Sequence, residues 1–399
     1  MNDVRRAADT LYHLGTVAWS TGLNDQAIGF HQQAVEICER TGFADLVAVQ
    51  AYHGRGEAHY ANAEPTAAIA CFTRSLELAR GIGDKSYESE NLMMIGHACV
   101  GTKGLGDYPR AMANLEEALA IARSADLQWH MGPTLLGIDH VRACTGRYGE
   151  AWSGMQSTLR WLENLGQPRY QLIAHDFIGH LLLDLGLNEL AIEQLERGIA
   201  LTRDTGIMFW RAMIDAHIAV AKSRLGQKDT ARALQATLEE TRRASERYSM
   251  VRCIDGLAEI TLMAGDTRRC RAYGDELLEI AVPNGLRELE AVARRWRGEA
   301  LLAAETYCEA QTELSRAAQL AEDIGRVRLQ MDVESALARL HGAQGQSDAA
   351  QRHGAKARAI ADAIENSLVS SGLRAQLRPA TPEPANLVFD AGKSSGVRT

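Results

Sequence analysis

The sequence has few cysteines and no arrangement that would use them. Seven of its 399 residues are cysteine, an odd number, and no two form a C-x-x-C pair. Scattered single cysteines argue against a disulfide framework and against a zinc site, because both need ligands paired at defined spacings. We therefore expect buried free thiols in a reducing compartment.

The chain also lacks a long apolar run, a leader sequence and an excess of basic residues. No stretch reaches the roughly 18 apolar residues of a membrane span, and the start, MNDVRRAADTLYHLG, has no apolar signal-peptide core. A net charge of −8 disfavours general binding to nucleic acid or anionic membranes. Basic clusters at 241–243, 267–271 and 294–297 are interleaved with acidic residues, which is typical of solvated helix faces. The sequence predicts a cytoplasmic protein without nucleic-acid or membrane partners.

Motifs that carry catalysis or hold a cofactor are missing as well. The sequence contains no H-E-x-x-H, G-x-S-x-G, EF-hand or dinucleotide fingerprint. The nearest candidate is a phosphate loop at Gly96-x-x-x-x-Gly101-Thr102-Lys103, but its Thr and Lys are in the wrong order and no strand precedes it. We interpret it as a hairpin turn lengthened by three residues that projects as a loop. No catalytic residue, metal or cofactor is predicted.

What the chain does have is a repeat. A small residue recurs at separations of 39 to 43 positions, with glycine five residues before it in seven of nine cases and fifteen after it in six. The small positions are Ala27, Ala68, Ala111, Ala151, Ala191, Ala231, Cys270, Ala310 and Ala350. The two glycine series are Gly22, Gly106, Gly146, Gly186, Gly226, Gly265 and Gly345, and Gly42, Gly83, Gly166, Gly206, Gly285 and Gly325.

Two glycine series in one phase predict two helix ends per repeat. Glycine ends a helix in the left-handed conformation without steric cost, and the segments between the glycines have helix-period apolar residues, as at Leu190, Leu195 and Ile199. Sustained alternation of β-branched residues is absent. The sequence therefore predicts an all-α protein built from helical hairpins.

These hairpins resemble the tetratricopeptide repeat in its longer form of about 40 residues. The segment GDYPRAMANLEEALAIAR is a close match, and the family's first-helix glycine is present at Gly15, Gly56, Gly96, Gly179 and Gly298. The resemblance implies a right-handed superhelical solenoid of about nine hairpins over residues 1–378. Its last segment, 365–377, would cap the stack. Residues 379–399 are expected to form a disordered tail.

In that family, first helices line a concave groove, and ligands touch the positions three before and one after the first-helix glycine. The resemblance therefore implies a ligand-binding groove, to which we add Tyr60, which with Trp19 lies four positions after a first-helix glycine. The predicted groove residues are Tyr12, Thr16, His53, Glu57, Tyr60, Met93, His97, His140, Asp176, His180, Asp255, Glu259, Arg295 and Glu299. Arg295 and Glu299 are one turn apart, as expected of a solvated ion pair.

His97, His140 and His180 occupy one equivalent position in three consecutive repeats. A metal site would require all three to converge within about 2.1 Å of an ion, although packed helices are about 8–10 Å apart. The open alternatives are a hydrogen-bonding ladder for a peptide or acidic ligand, and polar residues that merely face water. A ladder would titrate between about pH 5 and 8.

The sequence thus favours a non-catalytic scaffold that binds a protein or peptide in the groove of the solenoid. The first alternative is a ligand-sensing regulatory module, because such long repeats resemble the sensor regions of bacterial signal-transduction ATPases, class III adenylate cyclases and transcription regulators. Its partner would then be an associated ATPase, cyclase or regulator domain. A third hypothesis is an enzyme on a helical-repeat scaffold. Neither the identity of the ligand nor the oligomeric state follows from the sequence.

Overall fold

The computed structural model describes residues 2–374 except 102, 103, 207, 209, 370 and 371. The described residues form eighteen α-helices and no strand. The helices are α1 (Asn2–Ser20), α2 (Asn24–Thr41), α3 (Leu46–Ala61), α4 (Pro65–Ile82), α5 (Lys85–Cys99), α6 (Tyr108–Ser124), α7 (Gln128–Cys144), α8 (Tyr148–Asn164), α9 (Pro168–Asp184), α10 (Asn188–Thr205), α11 (Arg211–Arg224), α12 (Thr230–Arg243), α13 (Arg247–Met263), α14 (Thr267–Asn284), α15 (Arg287–Ala303), α16 (Tyr307–Ile324), α17 (Val327–Ala343) and α18 (Ser347–Ser367).

Consecutive helices pack in pairs, from α1 with α2 to α17 with α18, and each pair packs on the next. We number these hairpins repeats 1 to 9, so that the odd-numbered helices are the first helices. The predicted all-α solenoid of nine hairpins is confirmed.

The glycine series mark the helix ends as predicted. All thirteen glycines have positive φ angles between 64° and 87°. Where the first series lacks glycine, a strained residue takes its place: Ala63 and Glu305 have φ angles of 57° and 59° at this position of repeats 2 and 8. The chain geometry is therefore kept even where the residue type does not favour it.

The first-helix glycines make room for the second helix of the same hairpin. A Cβ built on Gly56 would lie 2.6 Å from the ring of Phe72, and one on Gly298 would lie 2.6 Å from Leu314. Phe72 and Leu314 are fully buried, as is Ala310 at the recurrent small position. The repeat period therefore reflects packing, because a large side chain of the second helix fills the space beside the glycine of the first helix.

The solenoid also packs against itself across five repeats. The hydroxyl groups of Tyr60 in repeat 2 and Tyr248 in repeat 7 are 3.2 Å apart. A Cβ on Gly106 of repeat 3 would lie 3.1 Å from Ile324 of repeat 8. Ile324 accordingly belongs to the apolar cluster of repeats 2 to 4. Repeats far apart in the chain therefore share one core.

A buried polar network joins the same distant repeats. The Tyr108 hydroxyl donates to Glu288 at 2.5 Å. Arg326, just before α17, donates to Glu288 at 3.2 Å and to Asp184 at 3.1 Å. Arg326, Glu288 and Tyr108 are each at most 6% exposed. Repeats 3, 5, 8 and 9 are held together through Arg326 and Glu288.

Two smaller expectations differ from the structure. The described part of the loop at 101–107 does not project, because Gly101, Gly104 and Gly106 are buried, the last against repeat 8. All seven cysteines are free thiols, but Cys308 is exposed whereas the other six are buried.

Part of the predicted capping segment lies outside the described residues, as does the whole predicted tail at 379–399. The described part of the segment continues α18 to Ser367. Leu368 and Leu373 then pack with Leu162 and Leu172 in the cluster of repeats 4 to 6.

Replacing Glu305 by glycine should stabilise the protein. Removing a Cβ from the left-handed region relieves about 1–2 kcal/mol, and the greater freedom of the unfolded chain offsets about 0.4–1 kcal/mol of this. Gly345→Ala is the matched control, since Gly345 has a φ of 73° with nothing near its Cβ position, and it should destabilise. Urea denaturation measures both, and a Glu305→Gly protein no more stable than the native one would contradict the strain argument.

Replacing Arg326 by leucine should separate the distant repeats. It leaves Asp184 and Glu288 without their buried partner, which typically costs about 3–5 kcal/mol. We expect a lower urea midpoint and a larger radius of gyration by small-angle X-ray scattering. Arg242→Leu is the control, because Arg242 pairs with Glu276 on a more exposed surface and should change stability by less than about 1 kcal/mol. Equal effects of the two substitutions would contradict the role of Arg326.

Candidate functional site

First helices of repeats 5 to 9 surround a cavity of about 100 Å³, which we call the inner cavity. Its lining residues come from α9, α11, α13, α15 and α17, with Arg326 just before α17. Five arginines and five carboxylates line it: Arg224, Arg252, Arg295, Arg326 and Arg328, and Asp184, Asp255, Glu259, Glu288 and Asp332. The inner surface of this half of the molecule is therefore strongly charged.

Ion pairs link the first helices of neighbouring repeats. Arg224 on α11 donates two hydrogen bonds to Glu259 on α13, at 2.5 and 3.1 Å. Arg295 on α15 donates to Asp332 on α17 at 3.0 Å. A charge on one repeat is thus balanced by an opposite charge on the next, so ion pairs connect these first helices to one another.

The predicted pair of Arg295 and Glu299 forms, but it is buried rather than solvated. Arg295 donates to Glu299 at 2.8 Å, and Arg339 donates to the second oxygen at 2.6 Å. Glu299 is only 2% exposed. Burial opposes its ionisation, but the two arginines outweigh burial and lower its pKa. The carboxylate therefore stays charged inside the protein.

Two tryptophans donate to carboxylates of the predicted groove. Trp210 Nε1 donates to Asp176 at 2.8 Å, and Trp296 Nε1 donates to Asp255 at 2.7 Å. Arg252 also donates to Asp255, at 2.8 Å. Trp296 is 3% exposed, which agrees with core packing, but its N–H orients an inner-surface carboxylate.

The structure brings His140 and His180 together and adds a histidine that the spacing did not identify. The rings of His140 and His180 are 6.4 Å apart, and the His180 ring stacks on that of His217 at 4.9 Å. His217 Nδ1 donates to Asp176 at 2.7 Å, because a carboxylate only accepts. His97 lies beside Gly137 on α7, where its ring bonds to the backbone of Pro133.

Burial changes the titration that was expected for His97 and His180. It lowers the pKa of His97 to about 4, and burial together with the Arg252 charge lowers the pKa of His180 well below its ordinary value. Both rings are therefore neutral at pH 7. The prediction that they titrate between pH 5 and 8 is wrong for these two histidines, because a charged ring would lose its hydration.

In repeat 2, His53 is surrounded by carboxylates. Its Nδ1 is 3.0 Å from the side-chain oxygen of Asn91, and its Nε2 is 3.9 Å from Glu57 and 3.8 Å from Glu90. Burial opposes protonation of His53, but Glu90 and Glu57 outweigh it and raise its pKa. Burial raises the pKa of Glu57 as well.

The other predicted residues of repeats 1 to 3 mostly contact neighbouring side chains and backbone. The Tyr12 ring is 5.7 Å from that of His31, and the Thr16 hydroxyl donates to the Tyr12 carbonyl at 3.0 Å. Met93 is buried among apolar residues. Tyr60 lies at the contact with Tyr248 rather than in an open groove, whereas the Trp19 ring lies 5.4 Å from the Arg169 guanidinium of repeat 5.

Several residues of the inner cavity were missed by the positions carried over from the family. Asp184 and Arg224 each stand five residues after the first-helix glycine position, and Arg252 and Asp332 stand six before it. All four lie about one turn beyond the positions considered. Considering positions one turn further from the first-helix glycine on each side would have included them. Arg326 precedes its helix, and no position counted from the first-helix glycine identifies it.

Among the described residues, no group of three or more His, Cys, Asp or Glu side chains is arranged to hold a metal ion. None of the helices in the described part of the chain combines the length and apolarity that crossing a membrane requires.

Residues 6–81 match the family model of the tetratricopeptide repeat. These residues cover most of repeats 1 and 2, and the later hairpins continue the same period and geometry. The chain therefore folds as a solenoid of hairpins like those of the tetratricopeptide repeat. No curated protein matches it.

Solved structures with a similar fold include a Rap protein complexed with competence and sporulation factor, at 11% identity and a TM-score of 0.63, covering 91% of this chain and 99% of that one. Aspartyl phosphate phosphatase F from Bacillus subtilis is similar at 15% identity and a TM-score of 0.52, with coverages of 73% and 75%. The human IFIT1 dimer with m7Gppp-AAAA has 15% identity and a TM-score of 0.50, with coverages of 91% and 81%. These likenesses show a shared fold.

The lowered pKa of His97 makes stability depend on pH. The unfolded chain takes up this proton at about pH 6.5, whereas the folded protein takes it up only at about pH 4. The stability contributed by neutral His97 should therefore be lost as pH falls from about 6.5 to about 4. His97→Gln should show a smaller drop in urea midpoint between pH 7.5 and 5.0 than the native protein, whereas His13→Gln, on an exposed surface, should show the same drop. An unchanged drop in His97→Gln would contradict this assignment.

Proposed function

We propose that the protein is a non-catalytic scaffold that binds a peptide or a protein segment along the inner face of its first helices. The observation that carries this proposal is the continuous run of polar and aromatic side chains on that face. His140 on α7, Phe177 on α9, Trp210 just before α11 and Tyr248 on α13 follow one another with ring-centroid distances of 4.6, 6.4 and 5.1 Å.

Such a run suits an extended ligand better than a compact one. Along this run an aromatic ring lies beside a charged group, as Trp210 does beside Asp176. A polypeptide in an extended conformation presents side chains and backbone amides at regular intervals to such a surface. The Rap protein of similar fold is itself described in complex with a factor, which supports the proposal by analogy of fold alone.

A second candidate is a ligand-sensing regulatory module, whose associated ATPase, cyclase or regulator domain would respond to the ligand. The observation that favours it is that Asp184, Glu288 and Arg326 line the inner cavity and also join distant repeats. A ligand that contacts these groups changes the free energy of the contacts between repeats. It would therefore change the shape of the solenoid as well as fill the inner cavity.

Selection of random peptides on the immobilised protein tests the binding proposal. Peptides retained by the native protein should bind about tenfold more weakly to the triple variant His97→Ala, His140→Ala, His180→Ala, since the row would lose its hydrogen-bonding groups. His353→Ala on α18 is the control, because His353 pairs with Glu334 away from the inner cavity, and it should bind as the native protein does.

Circular dichroism must show the native helix content in each variant, and His140→Ala alone replaces the triple variant if that one unfolds. Recovery of the same peptides with equal affinity by native and variant proteins would overturn the role of the histidine row. Small-angle scattering with a selected peptide separates the two candidates: an unchanged radius of gyration supports a scaffold, and a changed one supports a sensor.

A further inference from the structure

Repeat 6 differs from the other hairpins at the start of both of its helices. In repeat 5, α9 and α10 begin two residues after Gly166 and Gly186, the left-handed glycines that follow the preceding helices. In repeat 6, α11 begins five residues after Gly206 and α12 four residues after Gly226. Each has 14 residues, fewer than any other helix in the described part of the chain. The helical part of this hairpin is therefore shorter at both starts.

The residues directly before these two helices have an unusual backbone conformation. Trp210 before α11 has a φ angle of 74°, and Asp229 before α12 has one of 65°. Among the described residues, no other helix from α2 onward directly follows a residue with positive φ. The left-handed conformation is strained for a side chain as bulky as tryptophan. Such strain persists only where the surrounding contacts enforce it.

The two helices of repeat 6 also lack a packing feature of the preceding hairpin. In repeat 5, Ala191 and Leu195 are fully buried, and Leu195 fills the space beside the first-helix glycine of α9. In repeat 6, the equivalent Ala231 is partly exposed, and Gln235 stands in place of the leucine. The Gln235 side chain accepts from the Tyr273 hydroxyl of repeat 7 at 2.8 Å. This position therefore lacks the large apolar side chain that holds α9 and α10 together.

Two apolar clusters meet along α11. Its residues Ile214 and Ala221 belong to the cluster of repeats 4 to 6. Ala216, Ala219 and Val220 belong instead to the cluster formed mainly by repeats 6 to 9. The boundary between the apolar cores of the two halves of the solenoid therefore runs along this shortened helix.

We propose that repeat 6 is a hinge about which the solenoid opens, and that Trp210 holds this hinge in its closed position. Trp210 Nε1 donates to Asp176 of repeat 5 at 2.8 Å. Its ring lies 5.1 Å from that of Tyr248 in repeat 7, whose hydroxyl is 3.2 Å from that of Tyr60 in repeat 2. One side chain thus contacts the repeats on both sides of the hinge, and through Tyr248 it adjoins a contact that closes the solenoid.

The strain at Trp210 and its side-chain contacts act in opposite directions. A hinge absorbs its change of φ and ψ at a few residues at the ends of secondary-structure elements, which is where Trp210 and Asp229 lie. In the closed form, the contacts with Asp176 and Tyr248 compensate for the strained backbone of Trp210. When the hinge opens, these contacts are lost and the backbone is free to leave the left-handed region. The strain therefore favours opening, whereas the side-chain contacts favour closure.

Trp210→Phe tests the hinge because it removes the N–H donated to Asp176 but keeps an aromatic ring. We expect a larger radius of gyration by small-angle X-ray scattering. Amide hydrogen exchange in α11 and α12 should be about tenfold faster, because losing a hydrogen bond to a charged group shifts such an equilibrium by roughly this factor or more. Faster exchange with an unchanged radius of gyration would indicate local fraying and overturn the hinge, as would no change in either measurement.

Trp296→Phe is the matched control. Trp296 Nε1 donates to Asp255 at 2.7 Å, as Trp210 Nε1 does to Asp176, and each carboxylate keeps a second donor. Because Trp296 joins α15 to α13, both of 17 residues, the control should keep the native radius of gyration and the native exchange of α11 and α12. Equal responses of the two variants would contradict a hinge located at repeat 6.

The native protein supplies the test if Trp210→Phe does not keep its helix content by circular dichroism. At urea concentrations well below the unfolding midpoint, the amides of α11 and α12 should lose protection as the radius of gyration rises, while those of α8 and α15 stay protected. Loss of protection in all four helices at one urea concentration would overturn the hinge. These measurements need no ligand, so their outcome is independent of the proposed peptide binding.

Discussion

The buried pairing of Arg326 with Asp184 and Glu288 is the interaction on which the inner surface depends. It joins the end of the first helix of repeat 5 to the start of the first helices of repeats 8 and 9. Removing charges from water is expensive, and the two carboxylates and the Tyr108 and Tyr148 hydroxyls offset this cost through hydrogen bonds. Because these bonds are satisfied only when distant repeats touch, they select the closed form of the solenoid over an open one.

Closure explains why the predicted groove residues do not behave as surface residues. In an open solenoid, Asp176 and Glu299 would face water and hold solvated charges. Here they are 1% and 2% exposed, and each is matched by donors from a neighbouring first helix. A groove position in a closed solenoid is a core position, so its polar side chains need specific partners, and a histidine such as His97 stays neutral to lower pH.

The sequence predicts those features of the structure that depend on contacts between residues close together in the chain. The phase of the glycines gives the helix ends, and the small residues give the packing within a hairpin, because both depend on contacts within about 40 residues. The meeting of Gly106 with Ile324 depends instead on small rotations that add up over five repeats, and no residue period records them. That is why Asp176 and His180 could be placed on the inner face from their spacing, whereas Arg326 and the stacking of His217 on His180 could not.

Arg326 both lines the inner cavity and holds distant repeats together. A group that competes for Nη2 displaces Asp184, frees a buried carboxylate and favours separation of repeats 5 and 9. Binding of such a group and closure of the solenoid would share one guanidinium, so each would change the free energy of the other by the same amount. The closure of the solenoid is therefore sensitive to the groups that contact this single side chain.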